Sequence, residues 1–260
     1  MREAHLALQL DQWAEAHKVP PAEGAKCPCG LEKYVCSATC VGTAYTSSKV
    51  RILFVGKDHG WDCMSRDARQ SQEWFEAEYR EPKNRLWTSD HNRHLRRCVS
   101  MAAEILGSGC HSECDKKCGL KPRTDCVLCL FAKGNVVRCV EKEKRAMPCT
   151  SGPRIRACIR YLFRQLRILK PDVIIVQGRN KGSGHIHMDF RNELANWGRL
   201  NIDDGEVTGT AIWKKFDGWN GSTQIAFFVH PSARGRSSGK AMLLEEQKAL
   251  QLVISRISSR

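Results

Sequence analysis

Arg51-Ile52-Leu53-Phe54-Val55-Gly56-Lys57-Asp58-His59-Gly60-Trp61-Asp62 is the stretch from which the rest of the chain is read. Ile52 to Val55 is a short unbroken apolar run with neither a helical nor an alternating period, closed by charge on one side and glycine on the other. Such a run predicts a strand buried on both faces, as in a parallel sheet. The loop that follows it carries an acid and a histidine, and the carboxyl edge of an open α/β sheet is where ligands bind. A second stretch answers it downstream: Ile225-Ala226-Phe227-Phe228-Val229 runs into His230-Pro231-Ser232-Ala233-Arg234-Gly235, again a buried strand that ends in a histidine and a turn. In one parallel sheet the two strand ends can face each other across a cleft.

The chain has 260 residues, enough for one α/β domain with insertions, and we expect a single domain over 1–260. Within it, residues 1–30 read as an N-terminal helix, with Leu6, Leu8, Leu10 and Trp13 toward one side, and a connection. No apolar run approaches the roughly 18 to 20 residues of a membrane span, and the amino terminus lacks the basic start and apolar core of a signal peptide. A soluble, cytoplasmic protein without membrane partners is the expectation. The formal net charge is +14, with Lys and Arg spread along the chain, which makes a polyanionic partner the first expectation. A merely soluble basic protein fits the charge too. Fourteen cysteines without an export signal suit metal ligation better than disulfides, while Cys63 and Cys98 also fit as small buried apolar residues.

Asn84 to Arg97 is dense in Arg, His and Asn around Trp87 and leads into a helix through Met101 to Leu106. Cations that hold phosphates, interleaved with a ring that stacks on a base, suit a nucleic-acid cleft; a solvated helix face explains the same residues. Residues 107–131 carry Cys110, Cys114, Cys118, Cys126 and Cys129 among glycines and lysines, with few apolar residues. They read as an insertion tied by metal, Zn²⁺ or an iron-sulfur cluster. Gly134 to Cys139 predicts a short strand. A helix follows over about 154–169, with Ile155, Ile159, Leu162, Phe163, Leu166 and Leu169 at helical spacing, and Lys170-Pro171 ends it. Asp172 to Gly178 is then a buried β-branched strand, and strand, helix, strand in this order is a crossover unit of a parallel sheet. Residues 179–222 are polar, with a short helix suggested by Phe190, Leu194 and Trp197, and a last helix spans 241–257.

The Gly-x-Asp loop at Gly56-Lys57-Asp58, the late His230-Pro231-Ser232 and the segment Asn135-Val136-Val137-Arg138-Cys139 together resemble the uracil-DNA glycosylase superfamily. With Cys158 in a helix and the strand through Gln177-Gly178, they are most similar to its iron-sulfur type. The resemblance implies a three-layer αβα fold with a central, mostly parallel four-stranded sheet, the Cys-rich segment being an insertion. It also implies a 4Fe-4S cluster on two early and two later cysteines, here Cys36 and Cys40 with Cys139 and Cys158. Cys27, Cys29 and Cys149 are further thiols nearby in sequence, and a four-cysteine Zn²⁺ site has the same ligand chemistry. The Cys-rich insertion is a possible second metal site. The first motif departs from the iron-sulfur type, which has an acid one place earlier, and matches the placement in the classical uracil-DNA glycosylases.

What the resemblance implies for chemistry follows from the charges that develop when a pyrimidine leaves deoxyribose. A carboxylate, Asp58, stabilises the sugar cation and orients water, and an imidazole, His230, stabilises the departing base. Asn135 takes the position of the family's base-reading amide and suits uracil or a cytosine-like edge, depending on which way it faces. His59 and Trp87 are candidates for shaping the pocket or stacking, and Lys57, Ser232 and Arg234 for holding DNA. A buried aspartate capping its own turn and a satisfied turn histidine are the structural alternatives for Asp58 and His230. Substrate expectations are uracil, for repair, or a bulky modified cytosine such as glucosylated hydroxymethylcytosine of phage DNA, for antiviral defence. DNA is the expected partner and a monomer the expected state. A metal-stabilised nucleic-acid-binding protein without catalysis is the competing class.

Overall fold

A computed structural model describes residues 34–36, 39–42, 44–56, 93–107, 127–136, 139–141, 152–178, 186–202, 210–215, 222–228 and 239–259. In chain order these form β1 (Tyr34–Cys36), β2 (Cys40–Val41), a 3-10 turn (Tyr45–Ser47), β3 (Ile52–Gly56), α1 (Arg93–Leu106), α2 (Val127–Leu130), β4 (Phe131–Asn135) and β5 (Cys139–Glu141). The second half supplies α3 (Gly152–Leu169), β6 (Val173–Gln177), α4 (Ile186–Trp197), β7 (Gly198–Ile202), β8 (Thr210–Lys215), β9 (Ser222–Phe228) and α5 (Gly239–Ser258). No helix among the described residues is long and apolar enough to cross a membrane.

Strands β4, β3, β6 and β9 are adjacent and parallel, forming the expected four-stranded centre. The sheet is wider than expected, with seven strands in the order β2-β4-β3-β6-β9-β8-β7, because antiparallel strands extend both sides. Every residue of β3 and of β6 is buried, which is why both read as unbroken apolar runs. Alternate side chains serve two cores. Leu53, Val55, Ile174, Val176, Ile225 and Phe227 meet α3 and α4 through Ile159, Leu162, Phe163, Leu166, Phe190 and Leu194. Ile52, Phe54, Phe131, Val173, Ile175, Ala226 and Phe228 meet α1, α2 and α5 through Cys98, Ala102, Val127, Leu250 and Val253. At roughly 1.5 to 3 kcal/mol for each large apolar side chain fully buried, these two layers supply the main drive to fold.

Two sequence expectations need correction. The strand expected over 134–139 lies instead at Phe131–Asn135, and Cys139 opens a separate strand that pairs with β1. Val127, Leu130 and Phe131, at the end of the segment expected to be a Cys-rich insertion, are core residues. The hairpin of β7 and β8, within a segment expected to hold only a helix, was not anticipated. The expected N-terminal helix, and the insertion up to residue 126, lie outside the described residues.

Several polar groups at the amino edge of the sheet pair with one another. Arg51 donates from Nε and Nη2 to the Asp172 carboxylate at 3.0 Å each, and its backbone N–H adds a third bond at 2.9 Å. The paired carboxylate raises the guanidinium's pKa further above its ordinary value. The backbone of Asp172 and Val173 donates to the Arg51 carbonyl, and Thr223 Oγ1 donates to the Pro171 carbonyl, so the starts of β3, β6 and β9 are joined. Replacing Asp172 by Ala removes all three acceptor contacts from a partly buried arginine. We expect a loss of about 1.5 to 3 kcal/mol, read as a lower denaturant midpoint at unchanged slope; an unchanged midpoint would show the clamp to be idle.

Candidate functional site

The connections define where a ligand belongs. From β3 the chain passes through α1 to β4 on one side, then through α3 to β6 on the other side of β3. Helices α1 and α3 pack on opposite faces, since their residues belong to different cores. The strand order therefore reverses between β3 and β6, and the crevice outside the carboxyl ends of those strands is the topological switch point.

Three residues line the end of that crevice at one level. Gly56 is the last residue of β3 and pairs with Asn135, the last of β4. Val55 pairs with Val176, so the next step up β6 brings Gln177 level with Gly56. Alternation puts all three on the α1 face, with Phe54, Phe131 and Ile175 below them. Asn135 is buried, and its amide leans across the bare Cα of Gly56: a methyl group there would stand 2.2 Å from Asn135 Oδ1. The Val136 N–H donates to the Gly56 carbonyl at 2.9 Å and continues the ladder past the strand end. A glycine is thus needed at the end of β3 because a neighbouring side chain occupies the space its own would take.

The layer above is polar as well. Cys98 of α1 is fully buried, and its thiol donates to Gln177 Oε1 at 3.7 Å, a weak contact. Burial pushes the Cys98 thiol pKa up; the charge of Lys133, on the same face of β4, and the Gln177 contact oppose that rise. The Arg97 guanidinium pairs with the buried Glu246 of α5, fastening α1 to α5, and its own pKa is lowered by burial. On the opposite face Thr39 Oγ1 donates to Gln165 of α3, and Gly134 leaves room for Thr39 against β4.

Among the residues expected from sequence, Asn135 is thus brought to the switch point. Lys57, Asp58, His59, Trp87, His230, Ser232 and Arg234 lie outside the described residues. The strands that precede Asp58 and His230 end on this same edge, with β6 alone between them; Asp58 follows Gly56, and His230 follows Phe228, by two positions. Cys36 and Cys139 are direct partners in the β1–β5 ladder, and Cys40 opens β2. Cys158 is buried in the α3 core together with Val136. Of the other group, Cys110, Cys114, Cys118 and Cys126 lie outside the described residues, while Cys129 sits half-buried in α2 beside the α1 core, its carbonyl accepting from the Ala44 N–H.

The family model of the uracil DNA glycosylase superfamily matches residues 43–254, which include all four parallel strands and the switch point. The chain belongs to the uracil DNA glycosylase superfamily. No curated protein matches it. Members of this superfamily are DNA glycosylases, hydrolases that act on DNA. Sequence reasoning passed over Gln177, which it read as part of a strand, and gave Cys98 only a packing role. The available signal was an amide closing a run of four aliphatic residues, Val173 to Val176.

The contact of Asn135 with Gly56 is testable without any substrate. Gly56→Ala should cost about 1 to 3 kcal/mol, the usual range for overpacking a well-filled site. Adding Asn135→Gly should return much of that loss, a non-additive pair. Simple additivity in the denaturation cycle would refute the contact.

Proposed function

We propose that the chain is a monofunctional DNA glycosylase that extrudes a damaged or modified pyrimidine nucleotide and hydrolyses its N-glycosidic bond, leaving an abasic site. The observation that carries this reading is the buried Asn135 amide lying over bare backbone at the switch point of a glycosylase-superfamily sheet. An amide there offers a donor and an acceptor side by side, the pair needed to read the edge of a base. Extrusion costs a few kcal/mol of lost stacking and pairing, and is recovered in contacts to the flipped base. The net charge of +14 favours the phosphate contacts that hold the duplex.

In the proposed reaction the C1′–N1 bond breaks and its electron pair leaves with the base. Asp58 orients a water molecule and stabilises positive charge on the sugar, and His230 donates a hydrogen bond to the base oxygen where negative charge gathers. The water oxygen bonds to C1′, and the protons end on the sugar hydroxyl and the freed base. What supports these roles is that β3 and β9, which lead into the two residues, end on the edge that holds Asn135. Uracil and a glucosylated hydroxymethylcytosine are the substrate arms of the proposal, as repair and defence enzymes respectively.

A 4Fe-4S cluster held by Cys36, Cys40, Cys139 and Cys158 is part of the proposal, with Zn²⁺ as the alternative occupant. Cross-strand partners in an antiparallel ladder have Cα atoms about 4.5 to 5.5 Å apart, so the Cys36–Cys139 register suits two thiolates on one centre. The shared core of Cys158 and Val136, three residues before Cys139, is compatible with a fourth ligand from α3. Such a centre would supply no redox chemistry to a hydrolysis; it would hold the corner after Asn135. Thiols kept reduced for it suit the cytoplasm. A further centre on Cys110, Cys114, Cys118, Cys126 and Cys129 is proposed on their spacing alone.

Abasic-site formation on duplexes bearing uracil or glucosylated hydroxymethylcytosine tests the activity. Wild type should act on one of them, and Asp58→Ala should lower the rate about 100- to 10,000-fold. A protein that binds these duplexes and cleaves none would instead be a nucleic-acid-binding module. Iron and zinc content with the visible spectrum tests the metal: Cys36→Ser and Cys139→Ser should each deplete the same centre, and metal content untouched by either substitution would remove them as ligands.

A further inference from the structure

We propose that Gln177 is a second amide of the base pocket, whose Nε2 donates a hydrogen bond to a carbonyl oxygen of the extruded pyrimidine. The inference rests on the glycosylase reading and adds to it a specificity-determining residue. Gln177 is 1% exposed and closes a strand whose other residues are all buried aliphatics, so packing alone would favour another aliphatic side chain. Among the described residues its Oε1 accepts from the weak thiol of Cys98, and its Nε2 is buried without a hydrogen-bond partner.

Leaving a buried donor unmet is costly, and such groups are rare in folded proteins. Here it stands at the switch point, on the carboxyl end of one of the two strands that bound the crevice. Its neighbour at the same level in β3 is Gly56, which has no side chain, and beyond Gly56 the Asn135 amide leans in over the glycine. Two buried amides thus flank one bare position on one face of the sheet. A pyrimidine presents two groups along one edge of its ring: a 2-carbonyl, and a 4-carbonyl in uracil or a 4-amino group in cytosine. Asn135 can serve one donor and one acceptor. A further acceptor calls for a further donor, which Gln177 Nε2 provides. Shielded from water, that donor discriminates better than an exposed one, because a base without the matching acceptor leaves it unpaired.

The test compares wild type, Gln177→Leu and Gln177→Glu on duplexes containing uracil and on duplexes containing the modified cytosine, with kcat/KM and thermal midpoint measured for each. Gln177→Leu should lose about 10- to 100-fold in kcat/KM, the range for one buried hydrogen bond to substrate, while its midpoint stays level or rises. Gln177→Glu, which replaces the donor by acceptors, should lose at least as much. The loss is read on whichever duplex the wild type cleaves, and it supports the proposal there; where the wild type cleaves both, a loss confined to uracil assigns the contact to the 4-carbonyl and an equal loss on both assigns it to the shared 2-carbonyl. Wild-type activity with an unchanged Gln177→Leu overturns this inference alone, as does a fall in activity that only follows a fall in midpoint. A wild type inert on every duplex overturns the glycosylase reading and this inference with it.

Discussion

Burial of β3 on both faces and along both edges is the constraint from which the arrangement follows. With β4 and β6 hydrogen-bonded to its sides and helices over both surfaces, this strand has no free flank. A ligand can approach it only at its ends, and every backbone group along its length is committed to a ladder. The amino end is taken up by the Arg51–Asp172 clamp. What remains is the carboxyl end, where the side-chain-free Gly56 lets Asn135 reach across without parting the strands. The apolar run and the glycine that closes it serve one arrangement: a strand packed along its length, with room at its last residue for the Asn135 side chain.

The polar groups at the two edges meet different partners. At the amino edge several of them pair with one another: Arg51 with Asp172, Thr223 with the Pro171 carbonyl, and the buried Tyr45 hydroxyl with the Leu169 carbonyl, its pKa pushed up by burial; Gln224 Oε1, level with Val173, is buried there without a hydrogen-bond partner among the described residues. At the carboxyl edge Gln177 keeps an unmet donor, and Cys98 offers it little. Groups left short of partners cost stability, and folds keep them where another function needs them.

The central strands were legible in the sequence because strands buried on both faces leave an unbroken apolar run, and β3, β6 and β9 each did so. Strand β4 was not, since Phe131-Ala132-Lys133-Gly134-Asn135 carries a lysine and a glycine whose reasons are tertiary. Lys133 faces the polar layer near Cys98, and Gly134 yields its space to Thr39. Reading the neighbouring cysteines as a metal-tied loop then drew Phe131 away from the core it belongs to. The edge strands β7 and β8 were hidden for a different reason: Arg199, Asn201, Lys214 and Lys215 dilute the apolar signal of Leu200, Ile202, Ile212 and Trp213. Asn135 was found through motif and Gln177 was not, because the face a strand residue takes becomes known only once its register is.

The register of β1 against β5 gives the proposed metal centre a physical purpose beyond its ligand count. A ladder of three residue pairs is too short to be stable by itself, and it stands apart from the seven-stranded sheet. Yet its strand β5 begins three residues after Val136, so it lies close in the chain to the corner that carries Asn135. A base-reading amide must hold its angle to within about 10 to 20° to tell one edge from another. A centre that ties Cys36 to Cys139, and both to the buried Cys158 of α3, would fix that corner to the better-packed side of the molecule. On the proposed reading the centre and the glycine would act on the same residue: Gly56 makes room for the Asn135 amide, and a thiolate centre would limit how far the backbone beyond it can turn.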